Sequence, residues 1–207
     1  MNNLIQHTTE FALSIACRYI RDGGLIIDAT CGNGYDTVAL ADFCRAQSWC
    51  AKIVAFDIQA QALVQTKAHL VDAGFGSQLG NGDITLIQDS HAFLTNHINH
   101  LVSQNPDANA KACLIMFNLG YLPGGDKTIT TEAASTLQAV QASLDLLAAD
   151  GLVCITMYSG HEEGAKEKQA LLAFAEELDS HEFHVSYISM INQPGNPPEI
   201  LLISRKD

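Results

Sequence analysis

The chain of 207 residues is 47% hydrophobic and only 16% charged, which excludes a disordered protein and suits a single globular domain over residues 1–207. Eleven Lys and Arg against 23 Asp and Glu give a net charge of −12. That excludes a protein that coats nucleic acid through overall basicity, but not one that recognises RNA through a local patch. No apolar run approaches the ~18 residues of a membrane span, and the opening segment MNNLIQHTTEF has no basic stretch followed by an apolar one. A cytoplasmic protein with no membrane contact and no signal peptide is therefore expected.

Taken in chain order, the pattern predicts a first helix starting at Thr8 or Thr9, either of which can cap it, and running to about Ile20. Asp22-Gly23-Gly24 breaks it. Leu25-Ile26-Ile27 reads as a buried strand ending at Asp28, followed by a helix from Asp36 to Gln47. Lys52 to Asp57 is the second strand and Gln59 to Ala73 the second crossover helix. Gly74 to Asp83 holds four glycines and reads as a loop. Ile84 to Gln88, Cys113 to Phe117 and Gly151 to Tyr158 are the third to fifth strands. Between and after them come helices at His91–Gln104, Thr131–Ala149 and Glu163–Leu178. Phe183 to Ile191 and Glu199 to Ser204 are two closing strands, joined through Pro194-Gly195-Asn196-Pro197-Pro198. Apolar strands alternating with helices imply a parallel sheet covered on both faces. The last connection is too short for a parallel crossover, so the final strand must run antiparallel. The expected fold is α/β and Rossmann-like: a seven-stranded, mostly parallel sheet of the class I methyltransferase type.

In a doubly wound sheet the ligand site lies beyond the carboxyl ends of the strands, and the unusual residues of this chain fall there. Asp28-Ala29-Thr30-Cys31-Gly32-Asn33-Gly34 follows the first strand, and Asp57 ends the second. Gly32 and Gly34 allow close backbone approach to a ligand, and an acid at Asp57 can accept both hydroxyls of a ribose. The nicotinamide fingerprint would need a third glycine where Thr37 stands. An acidic strand end followed by this loop suits instead a ligand with a cationic amino-acid end, and S-adenosylmethionine carries both an ammonium and a sulfonium. Asp89, in Gln88-Asp89-Ser90-His91, sits where an acid takes the adenine amino group; Asp89 or Ser90 can equally cap a helix, and the two roles are compatible.

The fourth strand leads into Phe117-Asn118-Leu119-Gly120-Tyr121-Leu122-Pro123-Gly124-Gly125-Asp126-Lys127. Asn118 and backbone carbonyls there can orient an amine, and Tyr121 can stack on a base. The fifth leads into Tyr158-Ser159-Gly160-His161, which puts His161 at the same edge. His97 and His100 lie three apart on a helix but lack further ligands at a convincing spacing, so no metal site is expected and the pair reads as a solvated helix face. The six cysteines include no C-x-x-C pair and read as buried free thiols in a reducing compartment.

Together these motifs resemble the MnmM family of tRNA wobble-uridine methyltransferases. The matching segments are Asp28 to Thr37, Phe56 to Gln59, Asp89 to His91, Phe117 to Lys127, and Tyr158 to His161 with Gly164 and Glu167. The Phe117–Lys127 run is close to diagnostic, whereas the first motif identifies only class I methyltransferases. The resemblance implies methyl transfer from S-adenosylmethionine to the aminomethyl nitrogen on C5 of 2-thiouridine at position 34, with the tRNA anticodon stem-loop as partner. It implies a donor pocket of Asp28, Gly32, Asn33, Gly34, Asp36, Thr37, Asp57, Gln59, Asp89, Ser90 and His91. The implied acceptor side is Asn118, Tyr121, Leu122, Pro123, Gly124, Gly125, Asp126, Lys127, Tyr158 and His161, with His161, His91 or Asp126 as proton acceptor. A methyltransferase acting on another RNA, a small-molecule amine or a protein amine, and a non-catalytic donor-binding scaffold, are the alternatives. A homodimer is expected as a way to widen the RNA surface of so small a domain.

RNA binding by a chain of this charge must be local, with Lys127, Lys166 and Lys168 as the cations near the active edge. Lys127→Ala is expected to weaken tRNA binding by releasing one phosphate contact and to make its salt dependence shallower, with donor affinity unchanged. Binding titrations across a salt series check this; an unchanged slope would mean that Lys127 does not touch phosphate.

Overall fold

The computed structural model describes residues 7–104, 111–122, 124–125 and 130–206. Strands β1 (Leu25–Asp28), β2 (Lys52–Asp57), β3 (Ile84–Gln88), β4 (Ala112–Leu119), β5 (Leu147–Met157), β6 (Phe183–Ile188) and β7 (Glu199–Arg205) form one sheet in the order β3-β2-β1-β4-β5-β7-β6. The first five are parallel to one another, while β7 inserts between β5 and β6 antiparallel to both. The expected topology is thus the observed one. The chain winds outward from β1 to β2 and β3, then crosses to β4 on the other side, so the switch point lies between β1 and β4.

Strand alternation sorts the core into two layers. Val54, Phe56, Ile115, Phe117, Val153 and Ile155 point to one face, where Leu94 and Ile98 of α5 (Leu94–Gln104), Val140 and Leu144 of α6 (Ala133–Leu146) and Leu171 of α7 (Glu162–Glu176) cover them. Ile26, Ile53, Leu114, Met116, Leu152 and Cys154 point the other way. There they meet Ala12 and Ala16 of α1 (Thr8–Ala16), Leu40 and Cys44 of α2 (Tyr35–Gln47), and Leu70 of α3 (Ala60–Asp72). Both faces being buried explains why these strands read as continuous apolar runs rather than alternating ones.

Several boundaries differ from the sequence reading. The 74–83 segment contains a short helix, α4 (Gly76–Asn81), closed by Gly82 in a left-handed conformation (φ 83°), so only its ends are loop. Its glycines obscured a turn of helix held between α3 and β3. The cap of α1 is His7 rather than a threonine, with no side-chain bond, and Thr8 is buried inside the helix. The helix after the fourth strand stops at Leu146 because β5 starts at Leu147, four residues before Gly151. The segments at 17–19 and 91–93 are 3₁₀ turns. Cys31, Cys44, Cys113 and Cys154 are buried free thiols, as expected, but Cys50 is exposed because it lies in the turn before β2. Pro123, Asp126 and Lys127 lie outside the described residues.

Gly34 joins β1's loop to α2 with φ 83°, and a Cβ added there would stand 2.7 Å from Thr66 Cα on α3. Gly82 has the same φ but open space around its Cα. Gly82→Ala is expected to cost about 1–2 kcal/mol from the left-handed backbone alone. Gly34→Ala is expected to cost clearly more, because loop and helix must also separate; chemical denaturation of both variants measures the difference.

Candidate active site

The loop after β1 is fastened to both neighbouring strands. Cys31 N–H donates to Phe56 O at 2.8 Å and Gly32 N–H to Asp57 Oδ2 at 3.0 Å on the β2 side. On the β4 side, Ala29 N–H donates to Met116 O at 2.8 Å, and Thr30 Oγ1 accepts from Asn118 N at 2.6 Å. From above, α3 adds two clamps: Thr66 Oγ1 donates to Gly32 O at 2.9 Å, and His69 Nδ1 to Asn33 O at 2.8 Å. A carbonyl only accepts, so the His69 proton is on Nδ1. Asp57 Oδ1 takes the Gln59 amide at 2.8 Å. Both Asp57 oxygens therefore hold a backbone donor, and a carboxylate with about four acceptor positions retains capacity for a ligand.

Asp28 lies wholly buried beneath this loop, accepting from Thr37 Oγ1 at 2.5 Å and Thr30 N at 3.3 Å. Burial, reinforced by the charges of Asp36 and Asp57, raises its pKa to about 7. Burial also pushes the carboxyls of Asp36 and Asp57 upward. Three carboxylates whose ionised forms are disfavoured by burial, two of them also repelling Asp28, form a site whose strain a cation would relieve.

At the end of β4, Asn118 Nδ2 donates to Asp36 Oδ2 at 2.7 Å, which fixes the orientation of the amide. Its Oδ1 is buried without a hydrogen-bond partner among the described residues. Downstream, Leu122 is buried and packs on the donor-side loop: a Cβ on Gly32 would meet Leu122 Cδ1 at 3.3 Å. Gly125 N–H closes a turn onto Leu122 O at 2.9 Å, beside Gly124 in a left-handed conformation. Tyr121 pairs with Thr130 in a single antiparallel bridge.

Sequence reasoning gave Glu167 no role beyond its place in the motif. It is a buried carboxylate on α7 that accepts from Thr131 Oγ1 at 2.7 Å and Thr136 Oγ1 at 2.5 Å. Thr131 Oγ1 in turn accepts from Gly120 N at 2.9 Å. This chain pins the start of the segment after β4 to its return point and to α6. A fully buried acid in a helix with two threonines before it in sequence carries no local signature, so only tertiary placement reveals it.

The two histidines expected as proton acceptors do not fit that role. His91 is buried, donates to the Ala29 carbonyl, and has its pKa driven down to about 4, mainly by desolvation. It supports the β1 loop from below. His161 caps α7, with Nδ1 accepting from Gly164 N at 3.0 Å. Neutral His161 therefore carries its proton on Nε2, which is buried and unpartnered among the described residues, and faces its surroundings as a donor. Its ring lies 6.0 Å from that of Tyr121. Ser90 caps the 3₁₀ turn at 91–93, accepting from Ala92 N at 3.2 Å, which leaves Asp89 free of the capping role. Lys166 is paired with Glu162 and Glu163, and Lys168 with Glu199, so both lysines expected to face RNA are engaged within the chain.

An exposed large apolar side chain follows each of the five parallel strands: Tyr35, Ile58, Phe93, Tyr121 and Tyr158. Exposed side chains of this kind mark a ligand-binding surface when they share one edge. The topology puts all five at the carboxyl edge of the parallel strands, the edge that also carries Asp57, Asp89 and Asn118.

This sheet order, the clamped glycine loop and the acids ending β1 and β2 are those of a class I S-adenosylmethionine-dependent methyltransferase. Two structures bear out the fold, and the second of them, bound to SAH, bears out the cofactor. A crystal structure of a "putative rRNA-methylase" from Clostridium thermocellum superposes with a TM-score of 0.79 at 30% identity, covering 96% of this chain and 97% of that one. A "putative methyltransferase" from Streptococcus mutans, solved in complex with SAH, gives a TM-score of 0.73 at 31% identity over 95% and 97%. The chain belongs to the family described as "Putative rRNA methylase", whose model matches residues 53–204. It is also 32% identical over 201 residues to the chloroplastic tRNA (mnm(5)s(2)U34)-methyltransferase of Arabidopsis thaliana, covering 96% of this chain and 70% of that protein. No helix among the described residues is long and apolar enough to cross a membrane.

The electrostatics of Asp28 give a pH signature. Its pKa in the folded chain, about 7, exceeds the ordinary 3.8, so between these values the folded chain binds more protons than the unfolded one. Its contribution to stability therefore falls as pH rises through that window. Asp28→Asn is expected to raise the unfolding temperature of the donor-free protein at pH 8, with the gain shrinking toward pH 4. Thermal unfolding across pH checks this; a pH-independent effect would contradict it.

Proposed function

We propose that the methyl acceptor is the aminomethyl nitrogen on C5 of 2-thiouridine at position 34 of tRNA, presented in the anticodon stem-loop, and that the product is 5-methylaminomethyl-2-thiouridine. The observation that carries this reading is Asn118: an amide locked by Asp36 through Nδ2, leaving a buried acceptor, Oδ1, at the end of β4. A buried acceptor without a donor is costly and calls for an N–H brought by substrate. The name of the Arabidopsis relative supports the same acceptor.

The residues present fit the donor. We assign the ribose hydroxyls to Asp57, the adenine amino group to Asp89, and the amino-acid end to the loop of Gly32, Asn33 and Gly34 above Asp28, Asp36 and Thr37. Gln59, Ser90 and His91 shape this pocket from behind. Bound there, S-adenosylmethionine supplies a methyl group already activated on a sulfonium. The chain's own work is to align the acceptor nitrogen and to exclude water, and such positioning supplies about 7–11 kcal/mol. An alkylamine has a pKa of about 10.4 and must lose its proton to react. A desolvated pocket lowers that value, and the raised basicity of Asp36, joined to Asn118, offers a carboxylate to receive the proton. Tyr121 and Tyr158 are assigned to hold the base, with His161 as a donor toward it. Leu122, Gly124 and Gly125 are assigned to the entrance on the acceptor side; Pro123, Asp126 and Lys127, of the same motif, are assigned to the acceptor by the resemblance alone.

In single-turnover assays, Asn118→Ala is expected to leave donor affinity nearly intact while the methylation rate of aminomethyl-bearing tRNA falls strongly, because the nitrogen loses its alignment. Tyr121→Ala is expected to weaken acceptor binding by about 1–3 kcal/mol through a lost stacking contact, with donor binding spared. A wild-type rate for Asn118→Ala would defeat the amine-positioning role. Equal methylation of tRNA lacking the aminomethyl group would defeat the acceptor.

A further inference from the structure

His97 is one of the two histidines whose spacing raised the question of a metal, and no group of three metal-capable side chains occurs among the described residues. Its partner is a carboxylate at the end of the third strand. His97 Nε2 lies 2.7 Å from Asp89 Oδ2. A carboxylate accepts only, so Nε2 carries the proton of this bond. The ring also meets Phe56 edge-on, with centroids 5.7 Å apart at 68°. Phe56 is fully buried and directly precedes Asp57. His97 is therefore held by the core at the end of β2 while it reaches across to the end of β3.

The other Asp89 oxygen, Oδ1, accepts from the amide of Ser90 at 2.7 Å. A carboxylate has about four acceptor positions, and these two donors use one on each oxygen. The side chain is 37% exposed, so the remaining positions are open to a ligand. The bond from His97 is also the main reason that the Asp89 carboxyl is held below its ordinary pKa, which keeps it an acceptor at neutral pH. A lone Asp carboxylate rotates broadly about its last torsion. Two fixed donors, one per oxygen, set its plane.

We infer that His97 is a positioning residue for recognition of the donor's purine: by holding Oδ2 it aims the free acceptor positions of Asp89 at the 6-amino group of adenine. This rests on the assignment of Asp89 to adenine. Ile58, directly after β2, and Phe93, in the 3₁₀ turn that follows Asp89, are exposed apolar side chains available to the ring. The consequence is selectivity for a 6-amino purine, and not simply tighter binding of any purine.

The test uses calorimetry on the full chain with two probes, S-adenosylhomocysteine and its analogue whose purine lacks the 6-amino group. His97→Leu is expected to weaken the adenosyl ligand about tenfold, the scale of a lost charge-assisted bond, while the analogue binds as it does to the parent. His97→Gln, which keeps an N–H donor, is expected to recover most of that preference. Thermal unfolding of each variant establishes that it is folded. Equal weakening of both ligands by His97→Leu, or no change in either, would overturn the inference. Asp89→Ala separates the two levels of the argument. Loss of discrimination in Asp89→Ala alone, with His97→Leu unchanged, would keep the adenine assignment and overturn the role of His97. Unchanged discrimination in Asp89→Ala would overturn both.

Discussion

The bond from Asn118 N–H to Thr30 Oγ1 spans the point where the sheet reverses its winding, and the site depends on it. Without a tie there, the loop after β1 and the segment after β4 would be two independent surface connections. With it, Thr30 serves three purposes within one residue: its amide contacts Asp28, its hydroxyl holds the β4 end, and its position starts the turn through Cys31 and Gly32. The second tie, from Asn118 Nδ2 to Asp36, then joins the same strand end to the first turn of α2. The groups proposed to hold donor and acceptor are thus fixed relative to each other by two hydrogen bonds from one residue, as an in-line transfer would require.

The electrostatics follow from the same geometry. Bringing Asp28, Asp36 and Asp57 to one crevice places two further charges beside a fully buried carboxylate. In the absence of a cation this arrangement works against the folded state. It persists because the surrounding structure over-determines it: Thr37, Thr30, Gly32 and Asn118 each donate to one of the three acids. A donor with positive charge on both its sulfur and its amino group suits such a site, and stability given up without ligand returns as binding free energy when it arrives.

The basic side chains tell a complementary story. Lys111 and Arg205 donate to the carbonyls of Asp145 and Leu144, the last turn of α6, and Arg21 donates to Ala149 O just beyond it. Cations at a helix carboxyl end satisfy orphaned carbonyls and offset the helix dipole. These groups sit at the edge of the sheet opposite the site and serve the fold. At the opposite edge, the described lysines Lys166 and Lys168 are paired with Glu162, Glu163 and Glu199, and exposed Tyr121 and Tyr158 offer the aromatic surface on which a base can stack.

Fold class was legible in the sequence because it is written in local chemistry. Buried strands are runs of Ile, Val and Leu, crossover helices have their own period, and a short connection with three prolines forbids a parallel return before β7. The positions of Asp28, Asp57, Asp89 and Asn118 at strand ends followed, since a doubly wound sheet puts every such end on one edge. What the sequence could not show is which atoms of those residues are already engaged. That His161 is a donor depends on the Gly164 amide; that His91 is neutral depends on its burial under Ala29; that Glu167 holds the segment after β4 depends on two threonines more than thirty residues away. Histidine tautomers and carboxylate acceptor positions are set by neighbours in space, and those neighbours come from separate elements brought together only when the sheet closes.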